Sequence, residues 1–596
     1  MCGIAGFFGD GDRTAVPAML GTLHHRGPDD QHIVQGDRYA IGATRLSIID
    51  VAGGRQPLTN EDGTVVAAQN GELYNFPSLR TALLERGHRL TTRTDTEMLP
   101  HMWEEAGERL PERIDGMFAV AVWDSRQQVG LLARDRMGKK PLYYWHHGGA
   151  LYFGSELKAL LAIPGFTRRL NLEALHHYLS YKHVPHPFTI FEGVRMLPPA
   201  HRLVYRPGSE PAISRYWALS FAPASGGEPE ESEAVEELLV RLRRAVGRRL
   251  MSDVPVGFFL SGGIDSSLTT ALAAEVAPSR VKTFTLTYAD EATTPGKEQD
   301  RRWARWVAER YGTEHHEETI AVDDYPSSLR QILRAFDEPF AGVVSTYFLA
   351  QRMARHVKVA VAGDGADELF GSYLSHRTAA GIAARPDGLP ADPDWAWRAR
   401  LLVMDDEAKF QLYAPEVRAV LAGVSTRDHL RHAFGTLTAR DPLNRVLEAE
   451  FQGIFPDQVL TFIDRLSMAH SLEVRSAFLD TEVVEYVAAL PGSLKIRGGE
   501  TKYLLKRAAA RYFPGEMVRR PKEGFLMPVT EWMLGQLQPW VRETLSPTRL
   551  ATHGLFDADR VGALIDAAYT IGADYTAVNR VLVLVIFQEW YEAYLG

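Results

Sequence analysis

The sequence predicts a two-domain α/β protein, and three observations carry that expectation. The first 200 residues are rich in short β-like runs broken by Gly, Asp and Asn. From Ala234 onward, helical patterns alternate with buried-strand patterns. Between the two lies FAPASGGEPEESE, residues 221–233, whose Pro, Gly, Ser and Glu read as an exposed interdomain linker. In the first part, Gly3–Phe8, Thr64–Gln69, Phe118–Trp123, Gly130–Arg134 and Leu151–Gly154 read as strands, and Ser78–Glu85 and Thr96–Glu105 as helices. That mixture suits packed antiparallel sheet with helices. In the second part, Val235, Leu238, Leu239, Leu242 and Val246 recur at the helical period over Ala234–Arg249. The strand VPVGFFL, the loop SGGIDSS and the helix Leu268–Val276 follow. Then come a strand (Val281–Thr287), two helices (Asp300–Arg310 and Tyr325–Phe336) and a strand (Val357–Ala362). Strands alternating with helices form parallel βαβ units, and the remainder is mostly helical in pattern. The expected organisation is a domain over 2–210, a linker over 211–233 and a domain over 234–596.

Composition excludes several classes. Of 596 residues, 45% are hydrophobic and 24% charged, enough apolar material for cores. A net charge of −9 argues against a basic nucleic-acid face. The single cysteine, Cys2, can close no internal disulfide and build no multi-cysteine zinc site, which suits a reducing compartment. The longest apolar run, VLVLVIF at 581–587, is too short to span a bilayer, and the N-terminus lacks the basic start of a signal peptide. The expectation is a cytoplasmic protein with no membrane or nucleic-acid partner. The adjacent pairs His24/His25, His146/His147, His176/His177 and His315/His316 lack ligand spacing on one helical face and read as structural or surface residues.

Two segments carry chemistry. Ser261-Gly262-Gly263-Ile264-Asp265-Ser266-Ser267 joins a predicted strand to a predicted helix, where backbone N–H groups and a helix N-terminus can meet an anion. It has no Lys, so it is not a Walker A loop. Cys2 follows the initiator Met and precedes Gly3. Removal of Met1 would place a thiol nucleophile beside its own α-amine, whose pKa near 8 (roughly) suits it to accept the thiol proton.

The loop resembles the pyrophosphate-binding loop of the ATP pyrophosphatase superfamily. The ordered segments Cys2-Gly3-Ile4-Ala5-Gly6, His25-Arg26-Gly27-Pro28-Asp29, Arg45-Leu46-Ser47-Ile48-Ile49-Asp50, Asn70-Gly71-Glu72-Leu73-Tyr74-Asn75 and Thr94-Asp95-Thr96-Glu97 resemble the class II, N-terminal nucleophile glutamine amidotransferase domain. This resemblance implies an αββα sandwich in which Cys2 attacks the glutamine amide. It implies an oxyanion hole from the Asn70 side chain and the Gly71 N–H. Arg45 would bind the glutamine carboxylate, Asp95 its ammonium, and Glu72 would add backbone contacts.

The pairing of such a domain with SGGIDSS resembles glutamine-dependent asparagine synthetases of the bacterial B type over essentially the whole chain. Asp337-Glu338-Pro339-Phe340, Gly363-Asp364-Gly365-Ala366-Asp367-Glu368, Ser467–Arg475, Thr501-Lys502-Tyr503-Leu504-Leu505 and Lys522-Glu523-Gly524-Phe525 with Trp532 fit the same pattern. The resemblance implies an ATP site from Leu260, Ser261, Gly262, Gly263, Asp265, Ser266, Ser267, Leu286, Ala362 and Gly363. It implies Mg²⁺ on Asp265 and Asp367, hard oxygen donors, Lys502 on the α-phosphate, and Asp364 serving adenylate formation or ammonia deprotonation. The substrates would be glutamine, ATP and a carboxylic acid, aspartate before others, with ammonia passing between the sites.

Four segments depart from the family pattern: Ala362-Gly363, Gly371-Ser372-Tyr373, Arg475-Ser476-Ala477-Phe478-Leu479-Asp480 and Ala341–Tyr347. All lie in the second domain. They leave open a specialised amidotransferase of secondary metabolism acting on another carboxylate. The sequence is compatible with a homodimer.

Overall fold

The computed structural model describes residues 2–222, 228–288, 297–320, 324–381, 402–520, 529–570 and 575–596. Two six-stranded antiparallel sheets make the first domain. One runs in the order β10 (Arg195–Met196), β8 (Tyr143–His147), β9 (Ala150–Gly154), β1 (Cys2–Gly9), β3 (Tyr39–Arg45), β2 (Asp30–Gly36). The other runs β12 (Ala212–Arg215), β11 (His201–Tyr205), β7 (Val129–Arg134), β6 (Gly116–Asp124), β5 (Val65–Leu73), β4 (Leu58–Thr59). The period-2 alternation of a strand separates three apolar layers. Ile4, Phe8, Val66, Ala68, Ala121 and Trp123 fill the space between the sheets. Ala5 and Phe7 face the other way, onto the helices Ala15–Gly21 and Leu172–Tyr181. Val65, Ala67, Val120 and Val122 pack under the helices Phe76–Glu85 and Met98–Ala106. This is the expected αββα sandwich.

The second domain is built on a parallel sheet ordered β15 (Glu314–Ile320), β14 (Lys282–Tyr288), β13 (Val256–Phe259), β16 (Val359–Ala362), β17 (Glu473–Ser476). The chain builds outward from β13 through β14 to β15, then returns to add β16 on the other side. The carboxyl ends of β13 and β16 therefore flank the point where strand order reverses, the usual ligand crevice of an open parallel sheet. Two of the five strands, β15 and β17, escape sequence pattern. β15 is EHHEETI at a sheet edge, polar enough to read as loop, and β17 is EVRS, four buried residues of which two are charged.

The stretch 211–233 corrects the expectation of an exposed linker in part. β12 extends the antiparallel sheet past residue 210, a helix starts at Glu231, and Phe221 is fully buried beside Phe451 and the Lys495 ammonium. Lys522–Phe525 lies outside the described residues.

The domains meet through buried charge. Arg26 and Lys140 of the first domain both reach Asp464 of the second, and Arg465 reaches back to Glu156 at 3.0 Å. All five side chains are almost wholly excluded from solvent. Such a network earns little net stability against a hydrophobic alternative, but losing one member leaves an uncompensated buried charge.

Candidate functional site

Cys2 opens the central strand β1, paired with Arg45 across β3 and only 4% exposed. Burial pushes its thiol above the ordinary range, while a backbone hydrogen bond at Leu46 and the nearby Arg45 guanidinium pull it back. Asn70 lies on β5 against Cys2. Its Oδ1 sits 3.4 Å from the Cys2 nitrogen. With the amide turned over, Nδ2 donates to the Cys2 carbonyl at 2.7 Å and Oδ1 accepts from Arg26 at 3.3 Å, an arrangement that satisfies both ends. Gly71 follows at φ 140°, and a Cβ there would stand 1.9 Å from the Met117 carbonyl oxygen. Only glycine fits that crossing of β5 and β6.

Arg45 is held by the chain it wraps: its guanidinium donates to the carbonyls of Ile49, Asp50 and Val51 at 3.1, 2.7 and 3.2 Å. Asp95 Oδ2 accepts from Gln69 Nε2 at 2.6 Å and the Leu73 N–H at 2.8 Å; its Oδ1 accepts from the Thr96 N–H at 2.9 Å. Burial nevertheless raises its pKa. The structure thus brings Cys2, Arg45, Asn70 and Gly71 around one end of the sheets, with Asp95 rigidly bonded beside β5. Glu72 points its carboxylate at the second domain instead, 3.4 Å from Arg475, and burial with Glu473 and Asp95 nearby raises its pKa well above the carboxylate range.

Around Cys2, Gln56 is the residue that sequence reasoning missed. Its Nε2 lies 3.4 Å from Cys2 Sγ, and its Oε1 accepts from the Gln69 N–H at 2.8 Å. Its place in Arg55-Gln56-Pro57, just before β4, is the sole sequence signal, and nothing there marks a catalytic neighbour.

The second cluster stands at the crevice between β13 and β16. Gly262 has φ 77°, and a Cβ there would meet the Asp300 carbonyl oxygen at 2.1 Å, so the loop lies flat on the helix Lys297–Arg310. Gly363 makes a looser but still tight approach from β16: its Cβ would meet Asp265 Cβ at 3.1 Å and the Ser266 nitrogen at 3.2 Å. Ser261 and Ser266 bond to each other at 3.1 Å. The Ser267 hydroxyl, in the first turn of the helix Ile264–Val276, is buried without a partner among the described residues. Leu260 and Leu286 are buried at the ends of β13 and β14, and Ala362 closes β16.

Lys502 joins the two carboxylates predicted as metal ligands, at 2.6 Å from Asp265 and 2.6 Å from Asp367. Burial opposes its charge, but the two aspartates outweigh that and raise its pKa. Lys502 itself sits at φ 52°, its N–H on the Gly371 carbonyl. Ser372, where the family pattern has glycine, donates to Asp367. Asp364 faces a different neighbour. It is pushed up to about 6 by burial, with Lys139 opposing and Asp367 adding to the shift. Lys139, contributed by the first domain, is pushed down to about 7 by burial, with Lys140 and Arg249 adding to the shift. Asp364, Lys139, Lys140, Val474 and Leu479 line one small cavity at the domain seam. Neither lysine stands out in the sequence, because only the folded seam brings them to Asp364.

The chemistry of the donors suits the groups expected there. Two hard carboxylates around one cationic side chain can exchange that partner for Mg²⁺. A flat glycine loop with an unsatisfied buried hydroxyl at a helix start can receive phosphate oxygens.

Comparison with known proteins gives a consistent picture. A family model described as "Asparagine synthase" matches residues 237–592, and one described as "Glutamine amidotransferase domain" matches residues 1–217. "Asparagine synthetase (glutamine-hydrolyzing) 1" of Bacillus subtilis (strain 168) is 30% identical, with 99% of this chain and 96% of that protein covered. "Asparagine synthetase (glutamine-hydrolyzing) 3" of the same organism is 29% identical over 100% and 99%. "Amidase chyE" of Penicillium rubens is 26% identical over 92% and 90%.

Proposed function

The chain belongs to the asparagine synthase family, and on that footing we propose that it is a glutamine-hydrolysing asparagine synthetase, a carbon–nitrogen ligase that consumes ATP. The observation that carries this reading is the presence of two built sites in one chain. A buried terminal-strand thiol lies beside an amide donor, and an anion-receiving loop faces a Lys–Asp–Asp cluster.

Cys2 attacks the side-chain amide of glutamine, and Asn70 with the Gly71 N–H stabilises the oxyanion that develops. The bond from carbonyl carbon to nitrogen breaks, ammonia leaves, and water later releases glutamate. Arg45 takes the glutamine carboxylate and Asp95 its ammonium. In the second domain, aspartate attacks the α-phosphate of ATP, which gives an aspartyl-adenylate and pyrophosphate. Lys502 offsets the charge that builds on the α-phosphate. Ammonia then displaces AMP, and Asp364 serves either adenylate formation or the removal of the ammonia proton. Mg²⁺, when bound, would be held by Asp265 and Asp367 and would neutralise phosphate charge. The cavity of Lys139, Lys140, Asp364, Val474 and Leu479 supports a passage for ammonia at the seam. Relatives named as amidases match less closely than the asparagine synthetases and do not favour a different acceptor.

The test is pyrophosphate and AMP release by the purified protein against a panel of carboxylic acids, with glutamine as the nitrogen source. Stimulation by L-aspartate with asparagine as product is the expected result. No stimulation by aspartate, or ADP and orthophosphate as products, overturns the reading.

A further inference from the structure

A second constellation of chemistry-bearing side chains stands apart from both sites, in the outer helical layer of the first domain. Glu61 lies in the turn between β4 and β5, His88 in the segment after the helix Phe76–Glu85, and His101 and Glu104 one turn apart on the helix Met98–Ala106. One ligand atom from each falls within 4.8 Å of all the others.

The separations about the two imidazole nitrogens are close to the edges of a tetrahedron. The two Nδ1 atoms are 3.2 Å apart. His101 Nδ1 is 3.4 Å from Glu61 and 3.8 Å from Glu104. His88 Nδ1 is 3.7 Å from the same Glu104 oxygen and 3.7 Å from the other oxygen of Glu61, Oε1. A four-coordinate ion with bonds of about 2.0–2.2 Å needs ligand–ligand edges of about 3.3–3.6 Å.

The surroundings orient these atoms inward. His88 Nε2 faces Glu105 at 3.1 Å, which places the ring proton there and leaves Nδ1 as a lone pair. Glu105 is itself anchored by Arg86 at 2.6 Å. Asn60 Nδ2 donates to Glu104 Oε1 at 2.9 Å, which leaves Oε2 towards the histidines. The Arg89 N–H donates to Glu61 at 2.7 Å. Four acceptor atoms thus converge, and with neutral rings only the Nδ1 of His101 can carry a proton among them.

We propose that Glu61, His88, His101 and Glu104 form a four-coordinate site for a divalent transition metal, Zn²⁺ being the ion that a mixed imidazole–carboxylate tetrahedron suits best. With four protein ligands the site is closed, so its role is structural. The ion pins the β4–β5 turn and the segment at His88 to the helix that follows Asp95.

The experiment uses full-length Cys2→Ala protein, stripped with chelator and held in excess Mg²⁺, so that neither the thiol nor the Asp265/Asp367 pair competes for the probe. Equilibrium dialysis with Zn²⁺ should give one equivalent per chain, and Co²⁺ should give the intense visible bands of a tetrahedral complex. The Glu61→Gln/Glu104→Gln variant, isosteric and partly exposed, should lose stoichiometric binding and the spectrum. Asn60→Ala should weaken binding by about 10- to 100-fold. Zn²⁺ bound equally by the parent and the double variant, no binding to the parent, or a weak octahedral Co²⁺ spectrum overturns the proposal.

Discussion

The two sites of this chain solve opposite electrostatic problems. The site at Cys2 is finished before substrate arrives. Arg45 is tied to three carbonyls and Asp95 to Gln69, Leu73 and Thr96, and Gly71 is locked by the Met117 carbonyl. A zwitterion such as glutamine brings no net charge, so groups already hydrogen-bonded can bind it without large rearrangement. The crevice at Lys502 is held together by its own charges, with Lys502 between two aspartates, while Asp364 and Lys139 line one cavity and influence each other electrostatically. On the proposed reading, a nucleotide polyphosphate bound there would exchange those partners. On the proposed assignment, preorganisation would serve the hydrolysis of an amide, and exchangeable ion pairs the handling of ATP.

The contrast is tested most sharply by removing one centre and watching the other. Cys2→Ala should lower glutamine-dependent amide formation by at least about 10³-fold, while synthesis from added ammonium salt stays near the parent rate. Equal loss of both activities would mean that the sites are not separable. Lys502→Ala should cut aspartate-dependent pyrophosphate release by about 10²- to 10³-fold and leave glutaminase turnover intact. It also leaves Asp265 and Asp367 facing each other without the cation between them, so part of the activity should return at high Mg²⁺. A variant whose pyrophosphate release is normal would remove Lys502 from the phosphate site.

Between the halves, Asp464→Asn should cost about 3–5 kcal/mol of stability, because Arg26 and Lys140 stay buried without their shared anion. Thermal unfolding reads the stability, and the ratio of glutamate to asparagine formed reads the coupling. A ratio that stays at one, with unchanged Tm, would show that the seam does not depend on this network.

How far the sequence spoke differs in the same way between the two regions. Around Cys2, short motifs in strand order were enough, because β1, β3 and β5 each carry their functional residue at or near a strand end, and Asp95 starts a helical turn. Gln56 was silent, since its role comes from a turn that returns it to the sulfur. In the second domain, the loop after β13 and the segment after β16 were legible as motifs, but their meeting depends on strand order, which β15 and β17 complete. Both strands break the apolar-run rule: one is a polar edge, the other a buried strand whose charges are paired, Glu473 with Arg475 at 2.6 Å. Lys139 was equally hidden. A lysine in the first domain has no sequence reason to sit against an aspartate more than 200 residues later.

That pairing yields the smallest expected effect and the finest test of the contrast. Asp364 is pushed up to about 6 and Lys139 down to about 7. Below pH 6 Asp364 is mostly protonated and cannot act as a base; through 6 it ionises, while Lys139 is still mostly charged and stabilises it. Above 7 Lys139 loses its proton and that support. If Asp364 serves adenylate formation, aspartate-dependent exchange of pyrophosphate into ATP should rise about tenfold per pH unit below 6 and flatten above it. Asp364→Asn should abolish that limb. If it serves ammonia instead, exchange should be flat in both proteins, and only amide formation should suffer in the variant. Glutaminase turnover, measured alongside, should show no step that depends on Asp364. An identical limb near pH 6 in both activities of the parent and the variant would mean that the titration belongs to another group.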